Sequence, residues 1–359
     1  MKYFWFSIII VVIGAGAGAL YWLNHKTAGD VIKVDDIKKD AVTTKAPETK
    51  KEDFHFGVVI RPYGLKVGAA TYQKSQMQTQ IKLAKELGAT DVRANVEDDS
   101  LVNDHFVDLS LEAGLRPTFI LEPIAAHYFD EDTYNKAYTY AKKIAERYKG
   151  RVPYYQLANE ASGVAIKPNA PGNKVSDYDS AKYAHLKNIV KGMSDGVRAA
   201  DPAAKRIISA NWLGVGVMDK LIADKIDFEI FGWNWYSDMG EDLVKKLDDG
   251  TTLNIPEYLA KYNKQFWVVE LNRRVGSYDG NEKAQGEFLT TFINNVIKRS
   301  QVSGVFVYTL TDECGALDKE IGHLGLVNIV KNANNLCTVK SNKSAFAAYK
   351  SIISAQKQP

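Results

Sequence analysis

From Phe54 onward the chain alternates short apolar runs of strand composition with longer amphipathic stretches, several of them closed by glycine. No other feature narrows the possible folds as much. HFGVVIRP (His55–Pro62) is followed by a helical pattern over Thr71–Leu87 that stops at Gly88. Glycine takes the left-handed conformation of a helix end at little cost. DVRANVE (Asp91–Glu97) precedes a helix over Asn103–Ala113, and RPTFILEP (Arg116–Pro123) one over Asp132–Lys149; Gly114 and Gly150 end them. VPYYQLANEAS (Val152–Ser162) leads through a loop with Pro168, Pro171 and Gly172 to a helix over Asp177–Ala200. KRIISANW (Lys205–Trp212), a short helix near Val217–Ala223, DFEIFGWNWY (Asp227–Tyr236) and a helix over Ile255–Tyr262 continue the pattern. QFWVVELNR (Gln265–Arg273), a helix over Glu282–Ser300, GVFVYTLT (Gly304–Thr311) and a helix over Ser344–Ala355 complete eight strand–helix pairs. This pattern predicts an α/β fold, a (β/α)8 TIM barrel spanning residues 54–359. The alternative is a doubly wound open sheet. Its dinucleotide-binding form carries a glycine-rich turn after the first strand, and the turn here, RPYGLKVGAA, lacks the GxGxxG spacing.

Ahead of the barrel lie two segments of different character. Residues 1–23 hold one apolar run, Tyr3–Leu23, long enough to cross a bilayer, with Trp5, Tyr21 and Trp22 near its ends. It is expected to be an uncleaved signal anchor, a transmembrane helix; a cleaved signal peptide, suggested by Ala15, Ala17 and Ala19, is the alternative. Residues 24–53 are rich in Lys, Asp, Thr and Ala without an aromatic side chain, so they read as a flexible polar linker. The expectation is an exported domain anchored to the membrane on its periplasmic or cell-surface side, or secreted if the segment is cleaved. Net charge is only +3, with no dense basic block, which argues against a nucleic-acid partner. Cys314 and Cys337 are the only cysteines. In an exported protein they can pair, or they can remain two thiols.

In a barrel of this kind the active site lies at the C-terminal ends of the strands. The polar residues there are Arg61 and Tyr63; Arg93 and Asn95; Glu122; Asn159 and Glu160; Asn211 and Trp212; Asn234, Trp235 and Tyr236; Glu270 and Asn272; and Asp312 and Glu313. A carboxylate ending a buried strand is costly unless it is paired or used. Glu160 and Glu270 on two such strands suggest paired acid–base and nucleophilic chemistry, although either alone is as readily an ion-pair partner. Amides, carboxylates and indole faces suit sugars, with Trp212, Trp233 and Trp235 as stacking candidates. Trp233 and Trp267 lie within strands and have core packing as the plainer role. Trp267 precedes Glu270 by an odd number of residues, so it is expected to face the helices. The six His form no close pair, so a metal site is not expected. Glu122 and Asp312 could hold a cation, but an ion pair with Arg is simpler; His323 follows strand eight and could line the site, but a surface or capping role is expected.

At this point the chain resembles the retaining glycoside hydrolases of clan A, over about Phe54 to Ile353. Those enzymes carry Asn-Glu after strand four and a second Glu after strand seven, and Asn159-Glu160 and Glu270 match in order and strand number. The resemblance implies Glu160 as acid/base, Glu270 as nucleophile, Asn159 as ligand of the sugar 2-hydroxyl, Arg93 as the residue orienting the nucleophile and Tyr236 as its hydrogen-bond donor. YTLTDE, HLGLVN and KSAFAAYKSI are similar to the closing part of many such enzymes, and a family 39-like or family 53-like relation is expected. Ala161 stands where many members have Pro, and the usual Trp ending strand eight is absent from the Tyr308–Thr311 region. The expected function is hydrolysis of β-glycosidic bonds in a polysaccharide or oligosaccharide without a cofactor, with Asn211, Trp212 and Trp235 also binding substrate. The main rival is a non-catalytic glycan-binding barrel at the cell surface. A metal hydrolase lacks the clustered His, and an aldolase lacks a convincing strand-end Lys.

Overall fold

The computed structural model describes residues 54–63, 65, 72–121 and 132–357. The apolar segment, the linker and Glu122 lie outside the described residues. Among the described residues no helix is long and apolar enough to cross a membrane.

The barrel strands are β1 (His55–Val59), β2 (Asp91–Asn95), β3 (Arg116–Ile120), β4 (Tyr154–Ala158), β5 (Lys205–Asn211), β6 (Ile230–Tyr236), β9 (Gln265–Asn272) and β10 (Val302–Val307). They close in the order β1-β10-β9-β6-β5-β4-β3-β2, and every pairing around the ring is parallel. Helices α1 (Lys74–Leu87), α2 (Ser100–Glu112), α3 (Thr133–Arg147), α5 (Ser180–Ala200), α6 (Val215–Ala223), α7 (Ile255–Ala260), α8 (Glu282–Val296) and α9 (Ser344–Gln356) join them, with a five-residue helix α4 (Ala161–Ala165) directly after β4. Gly88 does end α1 in the left-handed conformation, φ 86°. Two antiparallel hairpins have no counterpart in the sequence expectation: β7/β8 (Val244–Lys246, Thr252–Asn254) between β6 and α7, and β11/β12 (Val327–Lys331, Cys337–Asn342) before α9. Cys314 and Cys337 form a disulfide that ties the loop after β10 to β12.

Side chains alternate across the barrel wall. Phe56, Val58, Phe119, Tyr155, Trp233 and Phe266 face the helices and join one continuous outer core. Inside, Tyr154, Ile207, Ile230, Trp267, Val269 and Phe306 fill the lower part. Gly57 makes room for this layer, since a Cβ there would stand 2.1 Å from the Phe306 ring. Beneath it His55 lies 3.1 Å from the Asp91 carboxylate, which also accepts from Arg116 at 2.7 Å.

Trp267 corrects the expectation. It points into the barrel, 4.1 Å from the His55 ring and 5.5 Å from Phe306, and donates from Nε1 to Ser303 Oγ at 3.0 Å. The odd spacing to Glu270 misleads because β9 carries an extra residue. Opposite β6, Trp233 pairs with Val268 and Asn234 with Glu270, leaving Val269 unmatched. Such a bulge resets which face the next side chain takes. Trp267 thus has the packing role expected, on the opposite side of the wall.

Candidate active site

Above the apolar layer the barrel interior turns polar. Arg93, fully buried on β2, supplies the central fork. Its Nη1 donates to Glu270 Oε1 at 3.1 Å, Nε to Gln156 Oε1 at 2.8 Å and Nη2 to Asn159 Oδ1 at 3.3 Å. Tyr236, at the end of β6, donates its hydroxyl to Glu270 Oε2 at 3.0 Å. Burial and the charge of Glu270 push the Tyr236 phenol well above its ordinary range, so it remains a donor. Both oxygens of Glu270 are therefore held, one by a cation and one by a neutral hydroxyl.

Glu160 sits across this network. Asn234 Nδ2 donates to Glu160 Oε1 at 3.1 Å and to Asn159 Oδ1 at 3.2 Å. β4 repeats the device seen in β9: Gln156 pairs with Ile207 and Ala158 with Ile208, so Leu157 is the extra residue and Asn159 is turned inward. Glu160 itself has φ 49°, ψ 45°, a left-handed conformation unfavourable for a non-glycine residue by about 1 kcal/mol or more. Its backbone N–H donates to Ser209 Oγ at 3.0 Å, and α4 starts at the next residue.

Asn159 Oδ1 also accepts from Gln156 Nε2 at 3.0 Å and Ser209 Oγ at 3.1 Å. Arg93 can only donate, so this atom is the amide oxygen, and Nδ2 makes no hydrogen bond to the described residues. Gln156 and Ser209 escaped the sequence reading. Each is a polar residue at an inward position of an apolar strand, and that was the available signal.

The other expected residues divide. Asn211 Oδ1 accepts from Ser162 Oγ at 2.6 Å and so braces α4. Trp212 stands half-buried at the rim with φ 48°, its ring 6.1 Å from Trp235, and Lys245 Nζ lies 4.9 Å from its centroid. Trp235 does not reach the mouth. It is fully buried on the helix side of β6, packs on Phe292 and donates to the Gly240 carbonyl at 2.7 Å, because alternation from inward Asn234 turns it outward. Trp233 is likewise buried against Phe266.

Asn272 is buried, bonded to the Tyr308 and Leu324 carbonyls and to Gln285, and so pins the β9 and β10 ends together. Asp312 pairs with buried Lys343 at 2.6 Å rather than with an Arg, and Lys343 also donates to Ser277. Burial raises the Asp312 carboxyl and lowers the Lys343 ammonium from their usual values, so the pair is retained by its close contact. Asn95 is exposed at the end of β2. Half-buried His323 bonds the Leu317 carbonyl at 2.9 Å. At the junction of β1 and β10, Arg61 donates to the Tyr308 hydroxyl and pairs with Glu313 at 3.0 Å. Among the described residues no group of three or more His, Cys, Asp or Glu is placed to hold a metal ion.

A closed parallel barrel with a polar cup of this kind belongs to the TIM-barrel class. No protein-family model matches the chain, and no curated protein matches it. Among solved structures it is similar to the family 1 β-glucosidase of Thermotoga maritima, with a TM-score of 0.61 at 14% identity, covering 87% of this chain and 100% of that one. Structures described as the β-glucosidase of Thermotoga maritima in complex with castanospermine (TM-score 0.61) and with cyclophellitol (TM-score 0.60) match at the same identity and coverage. At that identity the likeness establishes the fold, and the family 39-like or family 53-like relation finds no support among these neighbours.

Proposed function

We propose that the protein is a retaining glycoside hydrolase that cleaves β-glycosidic bonds of a polysaccharide or oligosaccharide by double displacement. The observation that carries this reading is the Glu270 carboxylate, held through one oxygen by Arg93 and through the other by Tyr236. A carboxylate held and oriented in this way is suited to attack an anomeric carbon. Glu160, joined to the same network through Asn234, is suited to protonate the leaving oxygen and then to activate water against the covalent intermediate. Asn159 presents its amide hydrogens to a sugar hydroxyl, and no cofactor enters the scheme. The neighbouring solved structures, β-glucosidases bound to castanospermine and cyclophellitol, favour a glycosidase over a glycan-binding barrel that turns nothing over.

The test is an NMR time course of the first-formed anomer on whichever member of a polysaccharide and oligosaccharide panel is cleaved. Retention of configuration is expected. The inverted anomer would remove Glu270 as nucleophile, and absence of turnover across the panel with measurable glycan binding would leave the binding barrel.

The apolar run at Tyr3–Leu23 and the polar stretch after it further suggest a membrane tether with the barrel outside the cytoplasm. Fractionation of the full-length protein is expected to place it with membranes. A mature N-terminus near Leu20 would show cleavage instead of anchoring.

A further inference from the structure

The edge of the cup between β1 and β10 has donors that the hydrolytic scheme does not use. Arg61 follows β1, with Tyr308 and Glu313 beyond β10. Arg61 Nη2 serves both neighbours, donating to the Tyr308 hydroxyl and lying 3.0 Å from Glu313 Oε2. Its Nε is buried without an acceptor among the described residues, and its Nη1 makes no hydrogen bond to them. The Tyr308 hydroxyl is taken as an acceptor by Arg61, so its own proton is available to donate. The cluster is a quarter exposed at both Arg61 and Glu313, which leaves it open to a ligand. It also lies within the electrostatic reach of Glu270. Burial, opposed by Arg61 and reinforced by Glu270, pushes the Tyr308 phenol up to about 12, so the proton is present throughout the working pH range.

Arg61 Nη1 and the Tyr308 proton thus have no partner among the described residues, and a ligand group that only accepts can take both. A neutral sugar hydroxyl brings a donor with each acceptor. A carboxylate accepts through two oxygens and matches the guanidinium fork in shape and charge. Its negative charge is set against Arg61, which Glu313 also pairs with through Nη2.

We propose that Arg61 and Tyr308 form a specificity site for a sugar bearing a carboxylate, so that the residue bound beside Glu270 is a uronic acid. This rests on the glycosidase reading above, and the experiment separates the two. The full-length protein is assayed on a panel of uronic-acid polysaccharides, each paired with the same polymer after its carboxyls have been reduced to primary alcohols. Binding of D-glucuronate and D-glucose is titrated in parallel by NMR. Expected is a kcat/KM at least about 100-fold higher on an acidic polymer than on its reduced partner, with glucuronate bound at least about tenfold more tightly than glucose. Arg61→Gln should abolish both preferences, and Tyr308→Phe should narrow them, through loss on the acidic member of each pair. Cleavage of reduced or neutral polymers in preference to acidic ones overturns the uronate site and leaves the hydrolase standing. Absence of turnover on every polymer, neutral ones included, overturns the hydrolase. The titration then decides the site: equal binding of the two sugars, or a preference unchanged in Arg61→Gln, rejects it.

Discussion

Glu270→Ala is expected to lose about five orders of magnitude in kcat on every substrate, the scale seen when a covalent nucleophile is removed. Arg93 and Tyr236 would then aim at a vacancy, and neither can replace the attacking oxygen. Glu160→Ala should behave differently. On natural glycosides, whose leaving oxygen needs a proton, a fall of about a thousandfold is expected. On aryl glycosides with acidic phenol leaving groups the first step should survive. Because the proposed mechanism also gives Glu160 the activation of water in the second step, the intermediate should accumulate and a burst of phenol should precede slow turnover. The measurement is rapid-quench kinetics of both variants on one natural and one activated substrate. Equal losses on both substrates in Glu160→Ala would show that it does not act as the acid.

The contrast between these two residues also marks how much of the site is legible in the sequence. The alternation of strand and helix was legible because each barrel strand is short, β-rich in composition and bounded by glycine or a helical run. Both carboxylates were legible as ionisable groups ending apolar strands. Facing was not legible near either Glu. Simple alternation places Trp267 outward, and the unmatched Val269 reverses it. A bulge leaves little trace in composition, since Val269 is as good a strand residue as Val268. The same holds for Leu157 ahead of Asn159.

Polar residues at strand ends were harder to sort. Asn272 and Asp312 read as members of the rim, yet both are consumed by the loops behind it, Asn272 on backbone carbonyls and Asp312 on Lys343. Those partners are remote in sequence, and nothing local signals them. Trp235 could have been separated from Tyr236 by alternation alone, because β6 runs without a bulge opposite β5. Gln156 and Ser209 were hidden for the opposite reason. They lie inside strands, where attention to strand ends passes over them, although a buried amide and hydroxyl need partners as surely as a carboxylate does.

Arg93→Lys is expected to reduce kcat by about a hundredfold to a thousandfold with the fold retained. The charge survives but the geometry does not. Arg93 reaches Glu270, Gln156 and Asn159 from three different nitrogens of one planar fork, whereas an ammonium on a shorter stem is a single point of charge. Asn159 keeps the donors from Gln156, Ser209 and Asn234, so its orientation should persist. Gln156 Oε1 loses its donor in a buried setting, which should destabilise the fold by about 1–3 kcal/mol. Glu270 loses a directed hydrogen bond on Oε1 and keeps, among the described residues, the one from Tyr236, so the damage should fall on the transition state more than on binding. KM should consequently change less than tenfold while kcat falls. Steady-state kinetics beside a thermal melt would separate the two effects. A variant with wild-type kcat would show that Arg93 braces the barrel without steering the nucleophile, and one with KM raised and kcat unchanged would place Arg93 in substrate binding instead.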